Sequence, residues 1–385
     1  MSKIEAKIVA DSKNEFGNRI TTMVVTFPRI ILAELNTHRM FSRNSASSRA
    51  IPFEKMCKAV SENPFIPIAF QKEHKGMQGS NYITDDREYA MAYNTWINAI
   101  EKAISSAKNL SQCGVTKQLA NRILEPFMYH TVIVTFTEIE NFFALRCPSY
   151  ILEEYNDNEE LIDIKIFRSR KDILNNESNW FIRKDDNKRF GKFPKDLTDL
   201  EWLLLNKGQA EIHMMALAEA IYDEYSSSTP KQLKAGEWHI PFQTQIDYEE
   251  LGRSTINYYK NNPTEQINVD KWAIAISTVY CARVSYTVVG EDQKPLSYER
   301  MIEIHDNLLA AEPKHMSPFE HCARAMDKTE YEENFAHDFK FLHDGSDLSK
   351  PEKNWDMIRT NGISGNFLGF LQYRKMIPNE NITNK

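Results

Sequence analysis

At 385 residues and 42 % hydrophobic content, the chain has the apolar material for a real core and the length for roughly two or three domains. Its net charge of −7 lacks the basic footprint of a protein that wraps a nucleic-acid polymer, so an anionic ligand must meet a local cluster of positive charge. The first residues carry no apolar signal core, no run of about 18 apolar residues occurs, and the five cysteines (Cys57, Cys113, Cys147, Cys281, Cys322) form no CxxC pair. The expectation is a soluble, cytoplasmic protein in a reducing compartment, with no membrane partner, no disulfide framework and no cysteine-rich zinc site.

In chain order, ITTMVVTF (20–27) predicts a β-strand, after which Pro28 opens IILAELNTHR as a helix. THRMFSRNSASSR (37–49) then packs three arginines, one histidine and four serines together, which fits either a solvated loop or an anion site. WINAIEKAISSAKNLSQCG (96–114) places Ile97, Ile100, Ile104 and Ala107 at helical spacing and stops at Gly114. TVIVTFTEI (131–139) is β-branched and strand-like, and ENFFALR (140–146) follows as an aromatic-rich helix. A charged stretch of about sixty residues comes next, too polar for core, in which LIDIKIF alternates like a strand. QAEIHMMALAEAIYDEY (209–225) is a strong amphipathic helix, and QIDYEELGRSTINYYKNNPTEQ reads as a connector. WAIAISTVYCARVSY and MIEIHDNLLAAEPKHMSPFEH make a further α/β unit, with CARVSY (281–286) as a core strand bearing one outward arginine.

Glycine is scarce at 13 residues, and neither GxGxxG nor GxxxxGK[ST] occurs, so a bound nucleotide must be held by another route. Arginine forks, serine hydroxyls and backbone N–H groups are what phosphate recognition needs, and THRMFSRNSASSR offers them. In HMSPFEH (315–321) the two histidines stand six apart, which does not suit a helical zinc pair. Its plain structural reading is a helix start with Ser317 as N-cap and Glu320 as capping-box partner. Arg146, ending ENFFALR, could likewise be no more than a helix-dipole partner.

Taken together these segments resemble the flavin-dependent thymidylate synthase family, whose signature is RHR, seven residues, then Ser. THRMFSRNSASSR stands in its place, accompanied by ARVSY, HMSPFEH for HxSPFEH, NRILEP for ARxxLP, NFFALR for NFxxLR and GQAEI for AQxEI. In the family ARVSY and HxSPFEH come first; here they follow by about 240 residues, so the chain reads as circularly permuted. The resemblance implies an α+β fold, a mostly antiparallel sheet flanked by helices. It divides the chain into residues 1–146 (first part of the catalytic domain), 147–207 (a charged insertion) and 208–385 (a helix and the rest of the catalytic domain).

The resemblance implies that His38, Arg39, Asn44, Asn141, His315, Ser317 and Glu320 lie along FAD, and that Ser47, Ser48, Arg49 and Arg122 hold dUMP. Arg146 would stabilise negative charge on the pyrimidine as C5 becomes nucleophilic, as both catalytic and substrate-binding residue, with no cysteine nucleophile and no metal. The implied reaction passes a one-carbon unit from methylenetetrahydrofolate to dUMP, giving dTMP, with NADPH as reductant, in a homotetramer.

The departures are specific. The first arginine of RHR is Thr37, the glutamine usual three residues before it is Glu34, the acidic residue two before the serine is Ser45, and an Asn and an Arg are replaced by Thr135 and Thr137. Gln372 and Arg374, in GNFLGFLQYRKMIP, are candidates to supply the missing Gln and Arg, or else form a terminal helix with a solvated basic edge. Two other readings stay open: a flavin-dependent hydroxymethylase giving 5-hydroxymethyl-dUMP or -dCMP, and a catalytically idle nucleotide- or flavin-binding assembly protein.

Overall fold

The computed structural model describes residues 4–75, 79, 81–155, 160–175, 180–184, 188–189, 194–261, 268–289, 294–336 and 365–380. Strands β1 (Glu5–Lys13), β2 (Arg19–Pro28), β3 (Ser42–Ser45) and β4 (Tyr129–Phe136) pair antiparallel in the spatial order β3-β4-β2-β1. Successive side chains of β2 and β4 point to opposite faces. Met23, Val25, Phe27, Val132, Val134 and Phe136 form one buried layer, packed by Met214, Leu217, Ala218 and Ile221 of the helix Ile212–Ser227. Ile133 of the other face packs with Phe242, Cys281 and Val284. Both faces of the central strands are therefore buried, which is why β2 and β4 read as near-continuous apolar runs rather than alternating ones.

Pro28 ends β2 rather than opening a long helix: a 3-10 turn (Arg29–Ile31) and a four-residue helix (Leu32–Leu35) follow, and the chain turns at Thr37. The helix predicted over 96–114 is longer, Asp86–Gln112, started by the Asp85 side chain and ended before Gly114 at φ +79°.

The charged stretch builds a sheet of its own from β5 (Tyr150–Tyr155), β6 (Leu161–Phe167), β7 (Trp180–Lys184) and β8 (Lys188–Arg189), in the order β6-β5-β7-β8. Tyr150, Leu152, Phe167, Ile173 and Trp202 form its buried cluster. Parts of the polar segment 171–196 lie outside the described residues.

Further on, β9 (Lys231–Gln232) joins β1 in parallel, and β10 (Trp238–His239), β11 (Ala323–Ala325) and β12 (Phe370–Gln372) make a small antiparallel sheet. The expected connector at 245–266 contains the helix Tyr248–Asn261. CARVSY is not a strand. It finishes the helix Val269–Arg283 and passes into a 3-10 turn, Val284–Tyr286. That helix is buried on nearly every side, from Trp272 to Val279, and an element apolar all round carries no periodicity to tell it from a buried strand. The C-terminal GNFLGFLQYRKMIP supplies β12 and a 3-10 turn rather than a terminal helix, because its apolar residues Phe367, Phe370 and Leu371 are buried.

No helix among the described residues is long and apolar enough to cross a membrane. Among the same residues no three His, Cys, Asp or Glu side chains converge as a metal site.

Candidate active site

The serine- and arginine-rich stretch is held at its centre by Asn44, which is 8 % exposed. Its Nδ2 donates to the Cys281 carbonyl at 2.7 Å, while its Oδ1 accepts from Ser285 Oγ at 3.3 Å and Ser317 Oγ at 3.2 Å. The Ser47 N–H adds a bond to the Ser285 carbonyl at 3.0 Å. One amide thus ties β3 to ARVSY and to HMSPFEH. The capping box expected in HMSPFEH does not form. Ser317–Glu320 is a 3-10 turn with Met316 at its N-cap, because Ser317 is turned to Asn44 and Glu320 to Arg374.

Arg146 closes the helix Glu140–Arg146, whose Phe142 and Phe143 are buried in the main core. With those rings anchored, the guanidinium is held against the start of the same stretch. Its Nε donates to His38 Nε2 at 3.0 Å, its Nη2 lies 3.5 Å from Thr37 Oγ1, and its Nη1 is 3.8 Å from Glu34. His38 must accept in that bond. Burial, with Arg146 and Arg43 nearby, lowers its pKa to about 4, so it stays neutral at neutral pH. Burial and the neighbouring Glu211 hold the Glu34 carboxyl above its usual range, against the pull of Arg146. Two positions where the chain departs from the RHR pattern are therefore the ones that grip Arg146.

At the other end of the stretch, Ser48 Oγ donates to Glu125 Oε1 at 2.5 Å. Arg122 reaches the same oxygen at 3.4 Å, and Arg29 stands 3.6 Å from it. The expected phosphate ligands Ser48 and Arg122 thus converge on a carboxylate. Sequence reasoning missed Glu125, although it stands where NRILEP breaks the ARxxLP pattern with an acid. Arg39, Arg49, Asn141 and His315 are exposed and make no hydrogen bond or ion pair among the described residues. They are not drawn to one another, but they are open to a ligand.

Gln372, 2 % exposed, donates to Ser42 Oγ at 3.0 Å, to Asn366 Oδ1 at 3.2 Å and to the Glu320 carbonyl at 3.3 Å. Arg374 pairs with Glu320 and with Glu380. Gln372 therefore meets the arginine-rich stretch at Ser42, whereas Arg374 meets HMSPFEH. Thr135 sits in a buried chain of hydroxyls and imidazoles: Thr22 Oγ1 lies 2.7 Å from Thr135 Oγ1 and 2.8 Å from His239, and Thr135 lies 2.8 Å from His321. Thr137 Oγ1 accepts from the Leu368 N–H at 2.9 Å. Burial pushes the thiols of Cys147 and Cys322 up to about 12, so neither offers a thiolate nucleophile.

No family model matches the chain. A flavin-dependent thymidylate synthase from Kosmotoga olearia is 28 % identical to it over 161 residues, 40 % of this chain and 65 % of that protein, so the chain spans just under two thirds of that relative's length. Two crystal structures of a UMP/dUMP methylase PolB from Streptomyces cacaoi are also similar. The one bound with 5-Br UMP is 17 % identical, with a TM-score of 0.32, covering 38 % of this chain and 78 % of that one. The one bound with 5-Br dUMP is 18 % identical, with a TM-score of 0.28, covering 36 % and 56 %. The sequence match agrees with the signature segments brought together around Asn44. Over that stretch the chain is similar to a flavin-dependent thymidylate synthase.

Proposed function

We propose that the protein transfers a one-carbon unit from methylenetetrahydrofolate to C5 of dUMP, forming dTMP, with FAD as bound cofactor and NADPH as reductant. The observation that carries this reading is the Asn44 clamp, which gathers the HR-x7-S stretch, ARVSY and HMSPFEH at one place. The donor set suits a phosphorylated ligand: Arg39, Arg49, His315 and Asn141 are exposed with uncommitted side chains, and the Ser47 hydroxyl makes no hydrogen bond among the described residues. A bound flavin would relay the reducing equivalents of NADPH to the transferred carbon.

The protein's own part is positional and electrostatic. Arg146, already fixed by His38, would stand against a pyrimidine carbonyl and stabilise charge on the ring while C5 attacks, at no cost of reorganising a mobile side chain. Arg49 and Ser47 would hold the nucleotide phosphate, and Arg39, His315 and Asn141 the cofactor. The late position of ARVSY and HMSPFEH is read as a circular permutation, and the working assembly as a homotetramer in the cytoplasm.

Glu34 favours a second reading. Its carboxylate offsets part of the charge on Arg146 and could accept from an exocyclic amino group, which suits a hydroxymethylase and a dCMP substrate. Incubating the FAD-loaded protein with dUMP or dCMP, methylenetetrahydrofolate and NADPH, then weighing the product, separates the readings by a methyl or hydroxymethyl increment. A flavin-loaded protein that modifies neither nucleotide would refute both.

A further inference from the structure

A cavity of about 250 Å³ lies between the inserted sheet and the helix Ile212–Ser227. Its wall includes Pro148, two residues past Arg146, with Tyr150, Arg170, Trp202, Met215 and Glu219. Tyr150 and Trp202 are 5 % and 6 % exposed, and their rings meet edge to face at 5.1 Å. Neither the Tyr150 phenol nor the Trp202 indole N–H has a hydrogen-bond partner among the described residues. Buried donors of this kind are normally satisfied. Among the described residues the polar side-chain atoms sealed from all open space without a partner belong to Asn121, His130 and His321. The Tyr150 and Trp202 donors instead reach open space, and the cavity is the space both residues line.

Glu219, which lines the same cavity, is 7 % exposed and uses Oε1 to accept from the Arg170 N–H at 2.7 Å and Nε at 3.2 Å. Its Oε2 has no hydrogen bond among the described residues. The lining thus combines a carboxylate oxygen free to accept and two donors with Arg170, Asp199 and Asn206, among aromatic and aliphatic side chains. Such a site takes a flat ring with N–H groups on one edge and acceptors elsewhere. We propose that this cavity binds a 2-amino-4-oxo heterocycle, the ring common to pterins and guanine, with Glu219 accepting from its amino edge and Tyr150 and Trp202 donating to its acceptors. Adenine fits poorly, since it sets a ring nitrogen lone pair where this edge has an N–H, facing the carboxylate. The cavity approaches the lower end, about 300 Å³, of small-molecule sites, which suits a ring rather than a whole cofactor.

The inference does not depend on the reaction proposed above and is tested without turnover. Titration calorimetry on the full chain would use folic acid, GMP and AMP, with Tyr150→Phe and Glu219→Gln as probes and thermal melting to check that each variant folds. Saturable binding of folic acid or GMP, weakened about tenfold by either substitution, with no binding of AMP, is the expected result. Binding of folic acid alone makes the one-carbon donor the source, and binding of GMP alone makes it a guanine nucleotide; either supports the proposal. No binding, equal binding of AMP, or binding untouched by both substitutions would overturn it. A protein that binds the ring yet takes up no FAD would sink only the proposed function.

Discussion

Ser317 donates to Asn44 at 3.2 Å across 273 positions of sequence. The bond lies at the meeting of two signature segments that neither local propensity nor chain order brings near each other. Asn44 answers to three partners at once, so it is the residue on which the candidate site closes.

Asn44→Ala should therefore cost more than one ordinary hydrogen bond, because it strands the buried Cys281 carbonyl and frees both serines. The expected loss is about 2–4 kcal/mol of stability by urea unfolding, together with loss of bound flavin read by visible absorbance. A variant as stable as the parent would contradict the clamp.

Arg146→Ala should lower kcat for nucleotide modification by about a hundredfold or more, while nucleotide binding weakens less. Its contacts with His38, Thr37 and Glu34 are partly solvated, so the melting temperature should move little. Near-normal turnover would remove the residue from the chemistry.

Glu34→Gln keeps the size of the side chain but removes its charge beside Arg146. Relative kcat/KM for dUMP over dCMP should rise by about tenfold. An unchanged ratio would mean that Glu34 only supports Arg146.

Stability should fall on acidification through a defined window. His239 and His321 are fully buried, and burial lowers the pKa of each to about 3, with Nδ1 of His239 bonded to Ser12 and that of His321 to Thr135. Unfolded histidine titrates near 6.5. Between about 6.5 and about 3 the unfolded chain holds a proton on each that the folded chain does not, so unfolding is favoured as pH falls. Each contributes a slope of about 1.4 kcal/mol per pH unit, and His38, held at about 4, adds to it over the upper part of the window. Urea midpoints measured from pH 7 to pH 4 should show this slope, and His239→Asn should reduce it; an unaltered slope would refute the assignment.

The sequence by itself determined the strands at 20–27 and 131–139, the helix that stops at Gly114, and the chemical kinds of residue in each signature segment. These are local: period, capping and residue type act over a few positions. It also marked Glu34 and Thr37 as departures, and both touch Arg146. Only the tertiary structure decided that CARVSY is helical, since a fully buried helix and a fully buried strand present the same apolar run. Only it decided that Ser48 and Arg122 face Glu125, that Gln372 reaches Ser42, and that Tyr150 and Trp202, far apart in sequence, line one cavity. Each of these rests on groups brought together from distant parts of the chain, and their pairing is fixed by the packing that satisfies buried polar atoms rather than by any local preference of the backbone.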